Sequence, residues 1–142
     1  LMVALKPGPC PKQGMPPKKK KGMRRYDPML EGPLSPRGYM EAIAKRQKIR
    51  GSQNLRCPVS GVLLPWWEFK YHHPYEKWML RRDGLFHLVW DPRNGIAVAP
   101  RVHERHHSAV ERIPGEVLSP LTFEFAAEIG PAAIKFVSEK HP

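Results

Sequence analysis

Four histidines and one asparagine carry the chemistry visible in this sequence: His72 and His73 in tandem, then Asn94, then His103 and His107. Nine residues separate Asn94 from His103, and four separate His103 from His107. On a helix, His103 and His107 lie about 40° apart on one face, one turn up, where two imidazoles can hold one metal ion. His106 sits about 60° from His103 on its other side and competes with His107 on spacing alone. Neighbours on a strand point to opposite faces, so His72 and His73 cannot easily bind the same ion. One can bind metal while the other faces a substrate, an arrangement suited to a ligand beside a general base. A neutral imidazole can take a proton from water near physiological pH. Asn94, in the turn-forming run Asp91-Pro92-Arg93-Asn94-Gly95, can bridge two loop ends or orient a histidine through its carbonyl. The set suits a one-metal hydrolytic site.

The elements that must position these residues follow from local patterns. Residues 66–71 are aromatic and β-prone and end at His72. Residues 74–84 read as a polar loop, and residues 85–90 as a second β-like run. Ile96, Ala97 and Val98 make a short strand. Pro100 opens a helix expected to run to about residue 112, ended by Pro114-Gly115. Upstream, residues 55–64 read as a short hairpin or knuckle with turn chemistry at Pro58-Val59-Ser60-Gly61. Ser35-Pro36 starts a basic helix of about 14 residues, with Gly51 as its stop. Its stripe is Tyr39, Met40, Ile43, Ala44 and Ile49. Downstream, Ser119-Pro120 opens a helix that Gly130-Pro131 breaks, and a last helix covers residues 132–140. This segment, 114–142, carries no evident chemistry and is expected only to pack. The fold class is α+β.

Charge adds a partner. Residues 1–56 hold 14 Lys+Arg against 3 acidic residues, and residues 57–142 hold 10 against 10, so the whole net charge of +11 lies upstream of the histidines. A one-sided basic extension is the footprint of a polyanion, usually nucleic acid. Residues 1–34 combine seven prolines with Lys18, Lys19, Lys20, Lys21, Arg24 and Arg25, which disfavours independent packing. This arm is expected to be mostly extended and to order on DNA or on a protein partner. Arg81, Arg82, Arg101 and Arg105 are the nearest phosphate-contact candidates around the histidines. Two cysteines, Cys10 and Cys57, make no disulfide framework. No apolar run spans a bilayer. A soluble, intracellular, cytoplasmic protein is expected.

His72-His73, Asn94, His103 and His107, in that order and spacing, resemble the HNH nuclease motif, the ββα-metal or His-Me finger. Within it, the set is most similar to the histidine-rich site of colicin-type DNases. The match covers about 36 residues, and the size and domain plan resemble phage-encoded HNH proteins, which would act in host cytoplasm. The resemblance implies a DNA endonuclease with a ββα nuclease core over residues 52–113. His73 would be the general base, and His72, His103 and His107 the ligands of one divalent ion (Mg, Mn, Zn or Ni). Asn94 would pin the loop and orient His73. The ion would bind a scissile phosphate oxygen and stabilise the leaving 3′ oxygen.

Many such proteins carry a structural zinc on two CxxC pairs. Here Cys57 stands alone: Ser60, Ala99 and Val102 occupy the other three positions and do not bind zinc. A structural zinc is therefore expected to be absent, with Trp66, Trp67, Val98 and Val102 packing in its place. The acidic residue that colicin-type sites place two before the His pair is Lys70 here, and Glu68 lies four before. Two other functions compete. His103-Glu104-Arg105-His106-His107 is a literal HExxH, which would make a zinc protease with Glu104 as base and a third ligand among Glu111, Glu116, Glu124, Glu128 and His141. Alternatively, the chain is a non-catalytic nucleic-acid-binding protein on the same scaffold.

Overall fold

A computed structural model describes residues 25–48 and 54–142. It mixes helices with two small antiparallel sheets, as the α+β expectation requires. The run Lys18–Lys21, Arg24, Ile49 and the Gly51 stop lie outside the described residues.

A single turn of helix, α1 (Pro28–Glu31), is capped by the Asp27 side chain. It leads into α2 (Pro36–Gln47), whose Ser35 hydroxyl accepts from the Gly38 N–H at 3.0 Å. Proline at the first helical position costs nothing, because that N–H has no helical partner. The inward face of α2 is Tyr39, Ile43 and Ala44. Arg46 is exposed but already engaged. Its guanidinium donates to the carbonyls of Pro92 at 2.8 Å and Gly95 at 2.7 Å. Gln47 both accepts from Ala97 N–H and donates to Ala97 C=O. The helix expected to be a separate basic element is thus bolted to the strand that follows Asn94.

The first sheet pairs β1 (Asn54–Arg56) with β2 (Leu63–Pro65), and the second pairs β3 (Lys70–His72) with β4 (Ile96–Val98). Register in the second sheet sets Lys70 opposite Val98, Tyr71 opposite Ala97 and His72 opposite Ile96. All of β4 is buried, covered by α2 on one side. Gly95 makes that approach possible: a Cβ there would fall 2.2 Å from Ile43 Cδ1 and 2.5 Å from the Tyr39 hydroxyl.

Three sequence expectations fail between and after these strands. Residues 77–82 form a helix, α3 (Lys77–Arg82), rather than a loop; Met79 and Leu80 are buried on its inner face. The segment after it is a 3-10 turn at Phe86–Leu88, not a strand. Helix α4 (Pro100–His107) stops five residues before the expected end. The Arg105 carbonyl accepts from both Val110 and Glu111, and Ala109 takes a positive φ of 61°, so the chain leaves the helix there. Helices α5 (Pro120–Ile129) and α6 (Pro131–Lys140) pack on each other, as their Ser-Pro and Gly-Pro boundaries suggest. Phe125, Ala126, Ala133 and Val137 join the core, and Thr122 ties α5 to the Arg93 carbonyl at 2.7 Å. Among the described residues, no helix is long and apolar enough to cross a membrane.

Candidate metal centre

His72 is the last residue of β3 and His73 the first beyond it, and the two rings go to different surroundings. His72 meets the rings of His103, His106, His107 and His141, at centroid distances of 5.5, 4.7, 5.4 and 5.2 Å. His73 instead stacks on Tyr39 at 4.6 Å and 12°, with the Trp90 edge at 5.6 Å. The alternation of side chains along an extended chain produces this divergence.

Helix α4 supplies the facing nitrogens. His103 and His107 Nε2 lie 3.0 Å apart. Nitrogens sharing a tetrahedral ion at about 2.05 Å are roughly 3.3 Å apart, so this pair is nearly set for one. Two groups of three histidines are positioned to hold a metal ion: His72 with His103 and His107, and His72 with His106 and His141. In each group the ligand atoms lie within 4.8 Å of one another.

Hydrogen bonding separates the two groups. The Ile113 N–H donates to His106 Nδ1 at 3.0 Å, so that nitrogen holds a lone pair and neutral His106 carries its proton on Nε2. The Ile113 carbonyl lies 2.9 Å from His141 Nδ1 and can only accept, so His141 carries its proton on Nδ1. One residue's backbone thus fixes opposite tautomers in two stacked rings, 4.7 Å and 11° apart. A metal on the second group would require His106 to surrender its Nε2 proton. In the first group the His103–His107 pair also shares one Nε2 proton, but no backbone group fixes which ring carries it, so His107 is the less constrained of the two candidates.

Burial keeps most of these rings neutral. It pushes His72 well below the ordinary histidine value, with His141, His106, His103 and His107 adding to the effect. It lowers His103 to about 4 and His106 to about 3. His141 is lowered by burial too, partly offset by its bond to the Ile113 carbonyl. Neutral imidazole is the metal-binding form, so these groups need release no proton at neutral pH.

On the other side of the strand, His73 Nε2 lies 3.0 Å from the Val89 carbonyl. It must donate there, which leaves Nδ1 as the lone-pair nitrogen. Burial, then Lys77, lowers His73 to about 3. Asn94 is fully buried and makes no hydrogen bond to His73. Its Oδ1 accepts from Tyr75 N–H at 2.9 Å, and its Nδ2 donates to Tyr75 C=O at 2.8 Å. It pins the chain just after His73 to the turn before β4. Orientation of the His73 ring falls to Tyr39, whose hydroxyl donates to the Asn94 carbonyl at 2.7 Å while its ring stacks on the imidazole. Trp90, tied to Glu31 through Nε1, packs edge-on against the same imidazole.

The arginines divide. Arg81 is held by nearly buried Glu31 at 2.7 Å, Arg82 by Asp83 at 2.9 Å and Arg105 by Glu111 at 3.3 Å, so each already has an acidic neighbour. Arg25 and Arg101 are exposed.

Cys57 is buried at the other sheet, its Sγ accepting from Ala99 N–H at 3.3 Å and Ser60 N–H at 3.4 Å. Val98 is buried beside it, and Trp66, Trp67 and Val102 are partly buried. Glu104 of the HExxH string is exposed. Among the described residues, neither histidine group includes a carboxylate.

Sequence reasoning missed one contributor and raised another only in a competing reading. Tyr39 reads as one more apolar position of a helix stripe. His141 stands only among the possible third ligands of the HExxH string; it lies 69 residues from His72, and no spacing rule links them. Compared with family models, curated proteins and solved structures, the chain finds no match.

Proposed function

We propose that this chain is a metal-dependent endonuclease that hydrolyses DNA phosphodiester bonds, with His73 as general base. The observation that carries the proposal is the divergence at the end of β3. One histidine joins the His103–His107 pair, and its neighbour faces away with a lone pair on Nδ1. Strand β3, strand β4 and helix α4 follow in the order of a ββα-metal finger, with Asn94 pinning the loop between them.

In this mechanism His72, His103 and His107 would hold one divalent ion, which would supply Lewis-acid stabilisation of the negative charge building on the phosphate. His73 Nδ1 takes the proton of the attacking water. The water oxygen bonds to phosphorus as the P–O3′ bond breaks and the 3′ oxygen takes a proton from solvent, giving 5′-phosphate and 3′-hydroxyl ends. Val89 fixes the tautomer that makes Nδ1 the acceptor, and Tyr39 keeps the ring from swinging. A base works best with a value near the operating pH, and burial holds His73 far below it. An anionic phosphate beside the ring favours the protonated form and moves it back toward neutrality. The basic upstream segment supplies salt-sensitive affinity for the backbone.

The test is plasmid cleavage with Mg, Mn, Zn and Ni on the parent and on His73→Ala. The parent should nick or cut with at least one ion, and His73→Ala should keep its fold and metal yet lose cleavage. A variant that cleaves like the parent overturns the mechanism. A folded, metal-loaded parent that binds DNA and never cuts it favours the binding-protein alternative.

A further inference from the structure

The C-terminal segment, expected only to pack, delivers His141 into the histidine cluster. His141 is almost fully buried, and its Nε2 lies 3.3 Å from His72 Nε2. Two nitrogens at that distance form a hydrogen bond only if one carries the proton. The Ile113 carbonyl has already drawn the His141 proton to Nδ1, so its Nε2 is the acceptor. His72 must then donate from its own Nε2. A neutral imidazole has one proton, which leaves Nδ1 of His72 as the nitrogen with a free lone pair.

We propose that His141 is a positioning residue for the metal centre: through the relay Ile113 C=O, His141, His72 it fixes the His72 tautomer and makes Nδ1 the metal-binding atom. This rests on the metal-centre reading of His72, His103 and His107. The usual partner of a ligating histidine's second nitrogen is a carboxylate, a backbone carbonyl or a water. Here a second imidazole takes that place, itself held by a carbonyl. A ligand role for His141 together with His106 would move the His106 proton to Nδ1, against the Ile113 N–H that donates there. The His106–His141 stack and Ile113 hold the acceptor rigidly, which long-range positioning requires.

The experiment uses the full chain without DNA. Long-range 15N–1H spectra of the metal-free protein report which nitrogen of His72 is protonated. The expected pattern is Nε2–H with a bare Nδ1, and zinc should then perturb Nδ1. Zinc affinity, measured by chelator competition, should fall about 10–100-fold in His141→Leu, which fills similar space without an acceptor. His141→Gln, whose amide oxygen can accept the same bond, should recover most of it. The proposal is overturned if His72 carries its proton on Nδ1, if zinc perturbs Nε2 instead, or if His141→Leu binds zinc like the parent. If His141→Leu does not fold, the parent tautomer and the Gln variant decide. None of these readouts involves cleavage. A chain that passes them and cuts no DNA keeps the relay and loses the nuclease proposal.

Discussion

The two sheets use the same backbone device for opposite ends. Each is a pair of three-residue antiparallel strands, each delivers a side chain with a metal-binding atom, and each lies beside the start of α4. At β1–β2 that atom is the Cys57 sulfur, surrounded by backbone N–H groups, with Ser60, Ala99 and Val102 where further donors would stand. At β3–β4 it is His72, with four other imidazoles in reach. A two-stranded sheet this short fixes direction, not function. What separates the two is how many donors converge and whether their hydrogen bonds leave lone pairs free. Cys57 shows the distinction well. Burial pushes its thiol up, but the bonds from Ser60, Ala99 and Val59 outweigh this and bring it down, so the sulfur is stabilised without a cation.

Changes on each side should sharpen or break that contrast. The largest effect is expected from His73→Ala, with cleavage falling by roughly 10²–10⁴-fold, the usual loss on removing a general base. His103→Ala should follow, lowering zinc affinity by at least the roughly 10–100-fold typical of lost outer-shell support. Isothermal titration at neutral pH measures it, and unchanged affinity would move the metal away from β3–β4. Asn94→Ala should cost about 2–5 kcal/mol in urea unfolding, because it leaves both backbone groups of Tyr75 buried without partners.

Acid should separate the two sheets as well. His73 and His106 are held near 3 in the folded chain, against about 6.5 when unfolded. The folded state therefore prefers them neutral. Their contribution is complete above about pH 6.5 and is lost progressively as pH falls toward 3. The urea midpoint should decline across that window, and less steeply in His106→Gln. The smallest effect is expected from Cys57→Ala: about 1 kcal/mol of stability, with metal content unchanged. If elemental analysis shows metal lost from that variant, β1–β2 is a metal site after all.

Much of the skeleton was legible because it is written locally. Ser35-Pro36, Ser119-Pro120 and Gly130-Pro131 mark helix ends through capping and fixed φ, and the residues around Cys57 announce a hairpin. The periodicities of strand and helix also separated His72 from His73 and paired His103 with His107. What escaped depends on burial and distance. Residues 77–82 look like loop because polar side chains outnumber Met79 and Leu80, yet those two suffice to seat a helix. The end of α4 was overrun because nothing in residues 108–112 forbids helix; a shared carbonyl and a positive φ decide it. Arg81 seemed free until Glu31, 50 residues earlier, claimed it. The Ile113 backbone, which distinguishes the hydrogen bonding of His106 from that of His107, is reported by no sequence pattern.

The Tyr39–Asn94 and His72–His141 contacts span 55 and 69 residues of chain. Each closes a long loop, and the entropy of closing it must be met before the contact gives anything back. The histidine cluster therefore forms only where distant parts of the chain have come together. An ion that binds only the finished cluster stabilises the whole molecule by mass action, by about 2.7 kcal/mol at one hundred times its dissociation constant. For such an ion the melting temperature would report on occupancy, and the site would double as a clamp between parts of the chain that lie far apart in sequence.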